Sequence, residues 1–278
     1  MDFLKDSLER RRQYIKSHPS FKEAKLKTED ITIFISNLSD LIWWNGNFSF
    51  LIYKDRLFSM QTELLESTHS TLRSIWQIIE LGHFSDVNVL LRKVRDDLFL
   101  FLYLLECVSR HKIDSETKQE RNAIKWQENR LENLHLSVIL TYLMENDQIN
   151  KVVSEYKLQE TWDKIGENLN KYVHGNGKFY IQLNYVNLDS IIVDKILNEI
   201  TFKLSYIVSI FVVLLILIKP NIISSRDYID ALELGLQPVE GSQYNIAPFI
   251  KEFIDTQVIK LHPDIKIFLK ESVYMKFE

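Results

Sequence analysis

LSYIVSIFVVLLILI, Leu204 to Ile218, is a run of 15 residues without a charge, set between Lys203 and Lys219. Its reading decides the fold, because it either crosses a membrane or forms the core of a helical bundle. As a helix it spans roughly 22 Å, short of the roughly 30 Å of a bilayer's hydrocarbon core. It also continues LDSIIVDKILNEITFK, where charges recur at regular intervals, and it stops at Pro220. A buried central helix is therefore expected, with a membrane anchor at residues 204–218 as the alternative.

The rest of the chain suits such a bundle. Apolar residues make up 46% of the 278, enough to bury a sizeable core. Gly (7) and Pro (5) are scarce, and neither occurs from His83 to Ile165, which favours long helices over a turn-rich β protein. The net charge of −4 gives no global attraction to nucleic acid, so any RNA contact needs a local basic patch. The single cysteine, Cys107, excludes an internal disulfide and a cysteine-rich zinc site, and its apolar setting LFLFLYLLECV reads as a buried thiol. The N-terminus has charges throughout and no apolar stretch of signal-peptide type, so a cytoplasmic location is expected.

Periodicity predicts one all-α domain over 1–278: a multi-helix bundle with its core at 50–218 and flanking helical segments at 1–49 and 219–278. Helices are expected over Phe3–Lys16, Thr28–Trp44, Phe50–Leu81, from Ser85 or Asp86 as cap to His111, Ser115–Asn146 and Leu158–Val173. FYIQLNYVN, after the glycines at 175 and 177, reads as a short strand or extended loop. The apolar helix follows, and short helices near Ser224–Leu234, Pro248–Lys260 and Pro263–Ser272 complete the chain.

Two stretches carry candidate chemistry. LNKYVHGNG, Leu169 to Gly177, ends a helix on His174, with Gly175 placed to take the left-handed conformation that stops it. There the helix dipole favours a protonated imidazole, and Asp163, Glu167, Asn170 and His174 share a polar stripe opposite the apolar Leu158, Trp162, Ile165 and Leu169. The plain alternative is an exposed C-cap. NVLLRKVRDDLFLFLYLLECVSR, Asn88 to Arg110, is apolar nearly all round in its second half. Yet Asn88, Arg92, Arg95, Asp96, Phe99, Tyr103, Glu106 and Arg110 fall along one strip. Charges on a buried helix must pair or line a wet groove; Arg92 and Asp96, four residues apart, could simply pair. A further cation and histidine, Arg130 and His135 in RLENLH, would sit on different faces of a continuous helix. Two Glu-x-x-His pairs, Glu80/His83 and Glu132/His135, have the spacing of a two-iron bundle, but chance supplies such pairs in a glutamate-rich chain.

The pairing of an LLRxxxD helix with a downstream NKYVHGN helix end resembles the HEPN superfamily, most closely its bacterial abortive-infection and HEPN-like branches. The likeness covers about Phe50 to Ile218. It implies an all-α, usually dimeric, metal-independent endoribonuclease of a phage-defence or toxin–antitoxin system. No cofactor or metal is implied; the partners would be RNA, a second copy of the chain, and a protein of the same system. The superfamily motif is an arginine, four to six residues, then histidine and glycine, often with asparagine after the arginine. Asn170, His174 and Gly175 match; the arginine position holds Leu169. The resemblance makes His174 the acid or base, with Arg92, Arg95 or Lys171 as substitute cation and Asn170 and Asp96 beside them. Arg130 and His135 form the alternative pair. The same residues without activity would make the chain a non-catalytic interaction subunit.

If the Glu-x-x-His pairs are accidental, the purified chain is expected to carry no stoichiometric iron, manganese or zinc. Elemental analysis checks this, and about two metal ions per chain would replace the ribonuclease reading with a carboxylate-bridged site.

Overall fold

The computed structural model describes residues 2–45, 49–60, 62–112, 117–132, 134–184, 188–237 and 245–273. In chain order these hold α1 (Asp2–Lys16), α2 (Pro19–Trp44), a hairpin of β1 (Ser49–Tyr53) and β2 (Arg56–Met60), α3 (Glu63–Leu81) and α4 (Phe84–Ser109). Then come α5 (Lys118–Gln127), α6 (Leu136–Leu143), α7 (Asp147–Glu155), α8 (Leu158–Val173), α9 (Lys178–Gln182) and α10 (Ser190–Ile218). The chain closes with α11 (Arg226–Glu233), α12 (Pro248–Thr256) and α13 (Ile265–Ser272), and two short 3₁₀ turns punctuate this last part. The architecture is all-α apart from the hairpin.

The apolar run forms the C-terminal half of α10, which Asp189 caps by accepting from the Ile192 N–H at 2.9 Å. Among the described residues α10 alone is long and apolar enough to cross a membrane, and 89% of its most apolar 18-residue window is buried inside the chain. Its neighbours do the burying. α4 and α2 pack against α10, α3 fills the angle between α2 and α4, and α8 lies on α4. One continuous apolar cluster runs from Ile15 to Val273, so the segments at both ends share the core.

Four sequence expectations change. Residues 50–60 are a hairpin, not the start of the α3 helix. Leu51, Tyr53, Phe58 and Met60 point inward while Ile52 and Leu57 point out, the two-residue alternation of a half-buried strand. Its turn, Lys54–Asp55, contains no glycine, so the usual signal is absent, and Lys54 takes φ 56°. Gln127 closes the outer edge of β2, accepting from the Ser59 N–H at 2.9 Å and donating to the Leu57 carbonyl at 3.0 Å.

The expected helix over 115–146 is instead two helices, α5 and α6, with α7 following. A Thr117–Glu120 capping box starts α5, Asn129 at φ 57° breaks continuation, and Asn146 caps α7; Ser115 lies outside the described residues. Of residues 179–187, read as strand or loop, 179–182 belong to the single-turn α9, and 185–187 lie outside the described residues. Ser85 and Asp86 do not cap α4 either, since its N-cap is His83. The Ser85 N–H instead donates to Asn184 Oδ1 at 2.9 Å, and Asn184 Nδ2 donates to Asp86 at 2.9 Å, fastening the α9 segment across the start of α4.

Lys54 carries a strain that glycine would not. Left-handed backbone costs an L-residue roughly 1–2 kcal/mol, offset in part by the greater entropy of glycine in the unfolded chain. Lys54→Gly is expected to raise stability by up to about 1 kcal/mol, read as a higher urea midpoint at unchanged slope.

Candidate functional site

The end of α8 stands as its pattern predicts. Asp163, Glu167, Asn170 and His174 are all exposed, and Leu158, Trp162, Ile165 and Leu169 are all buried. His174 is the C-cap, its N–H donating to the Asn170 carbonyl at 3.1 Å, and Gly175 at φ 57° ends the helix. Among the described residues the imidazole has no hydrogen-bond or ionic partner. Leu169, at the motif's arginine position, is fully buried. A cation there would point into the core and not toward a substrate.

The α4 strip divides into two halves, each met by different helices. In the first, α8 runs antiparallel to α4: Phe99 meets Trp162 with ring centroids 4.3 Å apart, and Arg95 lies over Trp162 at 5.9 Å. Gly166 makes room for that guanidinium, since a Cβ there would come within 3.3 Å of Arg95 Nη1. Arg95 is buried and donates from Nε to Asp96 at 2.9 Å, with Nη2 2.8 Å from the same carboxylate. Arg92, about one-third exposed, reaches the other Asp96 oxygen at 3.5 Å. Asp96 thus takes both guanidinia.

One turn nearer the start of α4 lies a residue that the sequence reading did not single out. Lys203 of α10 is only 3% exposed. Its ammonium donates to Asn88 Oδ1 at 2.8 Å and to Asn168 Oδ1 at 2.5 Å, sits 2.6 Å from Glu199 and faces the Tyr172 ring at 5.2 Å. Burial lowers its pKa, partly opposed by the Glu199 carboxylate. α4, α8 and α10 are joined through this one cation. The available signal was its position: a lone lysine at the edge of an apolar run, four residues after a glutamate.

The second half of the strip faces α5 to α7. Glu106, buried, accepts from Arg110 Nε at 2.6 Å and from Asn146 Nδ2 at 3.0 Å, while buried Glu120 holds His111 at 2.8 Å. Tyr103 accepts from Asn122 at 3.1 Å. Between the carboxylates lies Cys107, whose thiol is pushed up to about 12 by burial and by Glu120 and Glu106. It is an inert core thiol at neutral pH.

The alternative residues do not assemble. Arg130 pairs with Glu128, and His135 is the exposed N-cap of α6; the described residues 131, 132 and 134 between them are not helical, so the two do not share one continuous helix. Glu80 binds Arg12 at 2.6 Å and Lys16 at 3.1 Å. No group of three metal-binding side chains forms among the described residues. Nor does the expected wet groove along α4 coincide with the principal cavities. Two of ≈ 270 and ≈ 210 Å³ lie against α2, α10 and the α12 segment, and an open depression of ≈ 590 Å³ lies beside β2 and α5. None is lined by Asn88, Arg92, Arg95, Asp96 or His174.

Comparison of the chain with protein-family models, with curated proteins and with solved structures finds no match.

Lys203→Met removes the cation and leaves Asn88, Asn168 and Glu199 facing one another, at an expected cost of about 1–3 kcal/mol. The cost depends on pH. A lysine whose folded pKa is lowered binds its proton more tightly in the unfolded chain. Wild-type stability therefore gains as pH rises from the lowered value toward the unfolded pKa of about 10.4. The variant lacks this gain, so the difference between the two widens between pH ~7 and pH ~10. Chemical unfolding at both pH values measures it.

Proposed function

We propose that the chain is a HEPN-like helical interaction subunit, an antitoxin-like or defence-complex component of the cytoplasm, and not a self-sufficient endoribonuclease. What supports this is the use of its charges. Arg92 and Arg95 are both held by Asp96, and Lys203 by Asn88, Asn168 and Glu199, so each polar group of the α4 seam is satisfied within the chain. Cleavage of RNA by its own 2′-hydroxyl needs a base, an acid and positive charge on the phosphorane, all within reach of one phosphate. His174 offers the first or second. Arg95 packs beside Gly166, eight residues or about 12 Å along α8 from His174. Leucine at position 169 supplies no charge.

One observation favours the catalytic alternative. His174 is exposed and unpartnered among the described residues, and the Arg92 side chain is 31% exposed, so a phosphate could draw Arg92 away from Asp96. In that case His174 is the acid or base, Arg92 the clamp, and Asn170, next to Lys171 on the exposed stripe, orients the substrate.

Incubation of the pure protein with mixed-sequence RNA separates the two. The expected result is no cleavage, with His174→Ala, Arg92→Ala and His135→Ala indistinguishable from wild type and equally folded by circular dichroism. Cleavage lost in both His174→Ala and Arg92→Ala would establish the enzyme. Loss in His135→Ala alone would move the chemistry to Arg130 and His135.

A further inference from the structure

In the uncharged run of α10 only Ser205, Tyr206 and Ser209 have side chains that hydrogen-bond. Tyr206 donates to the Leu158 carbonyl at 2.8 Å. The two serines extend a stripe begun by Asn198 and Thr201, at intervals of three, four and four residues, and all four border the ≈ 210 Å³ cavity. Ser209 is only 1% exposed, and its hydroxyl has no hydrogen-bond partner among the described residues. A buried hydroxyl left open beside a cavity calls for a polar atom in that cavity.

This cavity adjoins the ≈ 270 Å³ one, since Lys27, Ser205 and Gln257 border both. The two are chambers of one trench between α2, α10 and the α12 segment. The larger chamber has an aromatic floor: Phe34 and Phe253 stack with centroids 3.9 Å apart, and Phe249 meets Phe34 edge-on at 5.7 Å. Asp30 of α2 and Glu252 of α12 stand at its rim, both exposed and, among the described residues, without an ionic partner. The smaller chamber has the opposite sign. Lys27, paired with Glu23 at 2.6 Å, stands where the chambers meet, and Lys260, which donates to Gln257 Oε1 at 3.2 Å, borders the smaller one.

We infer that the trench binds a small arylalkylammonium that carries an oxygen at its far end. A concave site with an apolar lining and a few convergent polar groups is the usual form of a small-molecule pocket. The carboxylates set the charge. An anion in the larger chamber would face Asp30 and Glu252, whereas an ammonium there is attracted by both. Lys27 is taken by Glu23 and offsets neither. The phenylalanine floor sets the body, since an aromatic ring stacks on it and gains beyond the area it buries. The lysines set the orientation: a second positive charge in the smaller chamber would meet Lys27 and Lys260, which rejects a diamine. An oxygen there meets two cations and the free hydroxyl of Ser209.

The site stands apart from the α4 seam. Neither chamber is bordered by Arg92, Asp96 or His174, so the inference holds whether or not the chain cleaves RNA. α10 serves both sides: Lys203 turns to α4 and α8, and the serine stripe turns to the trench.

Calorimetric titration of the full chain with tyramine tests the inference, because that probe joins an ammonium, an aromatic ring and a distal hydroxyl. Saturable binding at a single site is expected, with Kd between about 10 μM and 1 mM. Two analogues should each bind about tenfold more weakly or worse: 3-(4-hydroxyphenyl)propanoate, with carboxylate for ammonium, and 4-(2-aminoethyl)benzylamine, with a second ammonium for the hydroxyl. Asp30→Asn and Glu252→Gln, both at the exposed rim, should each weaken tyramine by about threefold to tenfold with unchanged circular dichroism. Ser209→Ala should weaken tyramine by about threefold to tenfold and leave phenethylamine, which lacks the hydroxyl, unaffected. Absence of saturable binding overturns the inference, as does equal binding of the carboxylate analogue or the diamine. So does a tyramine affinity indifferent to both carboxylate exchanges. Equal loss of tyramine and phenethylamine in Ser209→Ala, or loss of neither, overturns the orientation and with it the proposed ligand class.

Discussion

Burying Leu204–Ile218 leaves Lys203 nowhere to go but inward. The helix that carries it is central, and a lysine one residue before a buried, uncharged run cannot turn to solvent without turning that run out as well. An unpaired ammonium in such a place is very costly, so the surrounding helices must bring oxygen to it. α4 supplies Asn88, α8 supplies Asn168, and Glu199 comes from one turn earlier in α10 itself. The register of three helices is tied to one nitrogen atom. A one-residue slip of α8 would carry Asn168 away from the cation and turn Leu169 out of the core.

That constraint reshapes the meaning of the α4 strip. Charges on a buried helix suggest a reaction groove when only α4 is considered. With its neighbours in place, they are the inner lining of a packed seam, each paired once or twice. A Cβ at residue 166 would come within 3.3 Å of Arg95 Nη1, so any side chain there would press on the guanidinium, and a glycine inside α8 costs helix stability about 1 kcal/mol relative to alanine. The guanidinium's close approach to the helix backbone is what that glycine leaves room for.

Much of this was legible in the chain itself. The scarcity of glycine and proline, and the apolar spacing of Leu158, Trp162, Ile165 and Leu169, gave α8 to the residue, and Gly175 gave its end. The apolar run announced a central helix. The hairpin was hidden because Lys54–Asp55 turns without the residues that usually mark a turn, and its strands are short enough to pass for helix. The break-up of 115–146 was hidden for a related reason. Asn129 adopts a left-handed conformation that asparagine tolerates without advertising, and α5 and α6 are held by the end of α4, not by their own periodicity. At the candidate site, His174, Asn170 and the Arg92–Asp96 pair were visible as spacing. Lys203 was not, because its partners lie 35 and 115 residues away along the chain.

The burial of Leu169 bears most directly on function. Position 169 lies on the same inward stripe as Trp162 and Ile165, and that stripe is what fixes α8 to α4. An arginine there would have to carry its guanidinium out past Tyr172 and Asn168, both already committed to Lys203. What stands exposed at the end of α8 is His174, with Asn170 and Lys171 exposed beside it, while Asn168 and Tyr172 turn inward to Lys203.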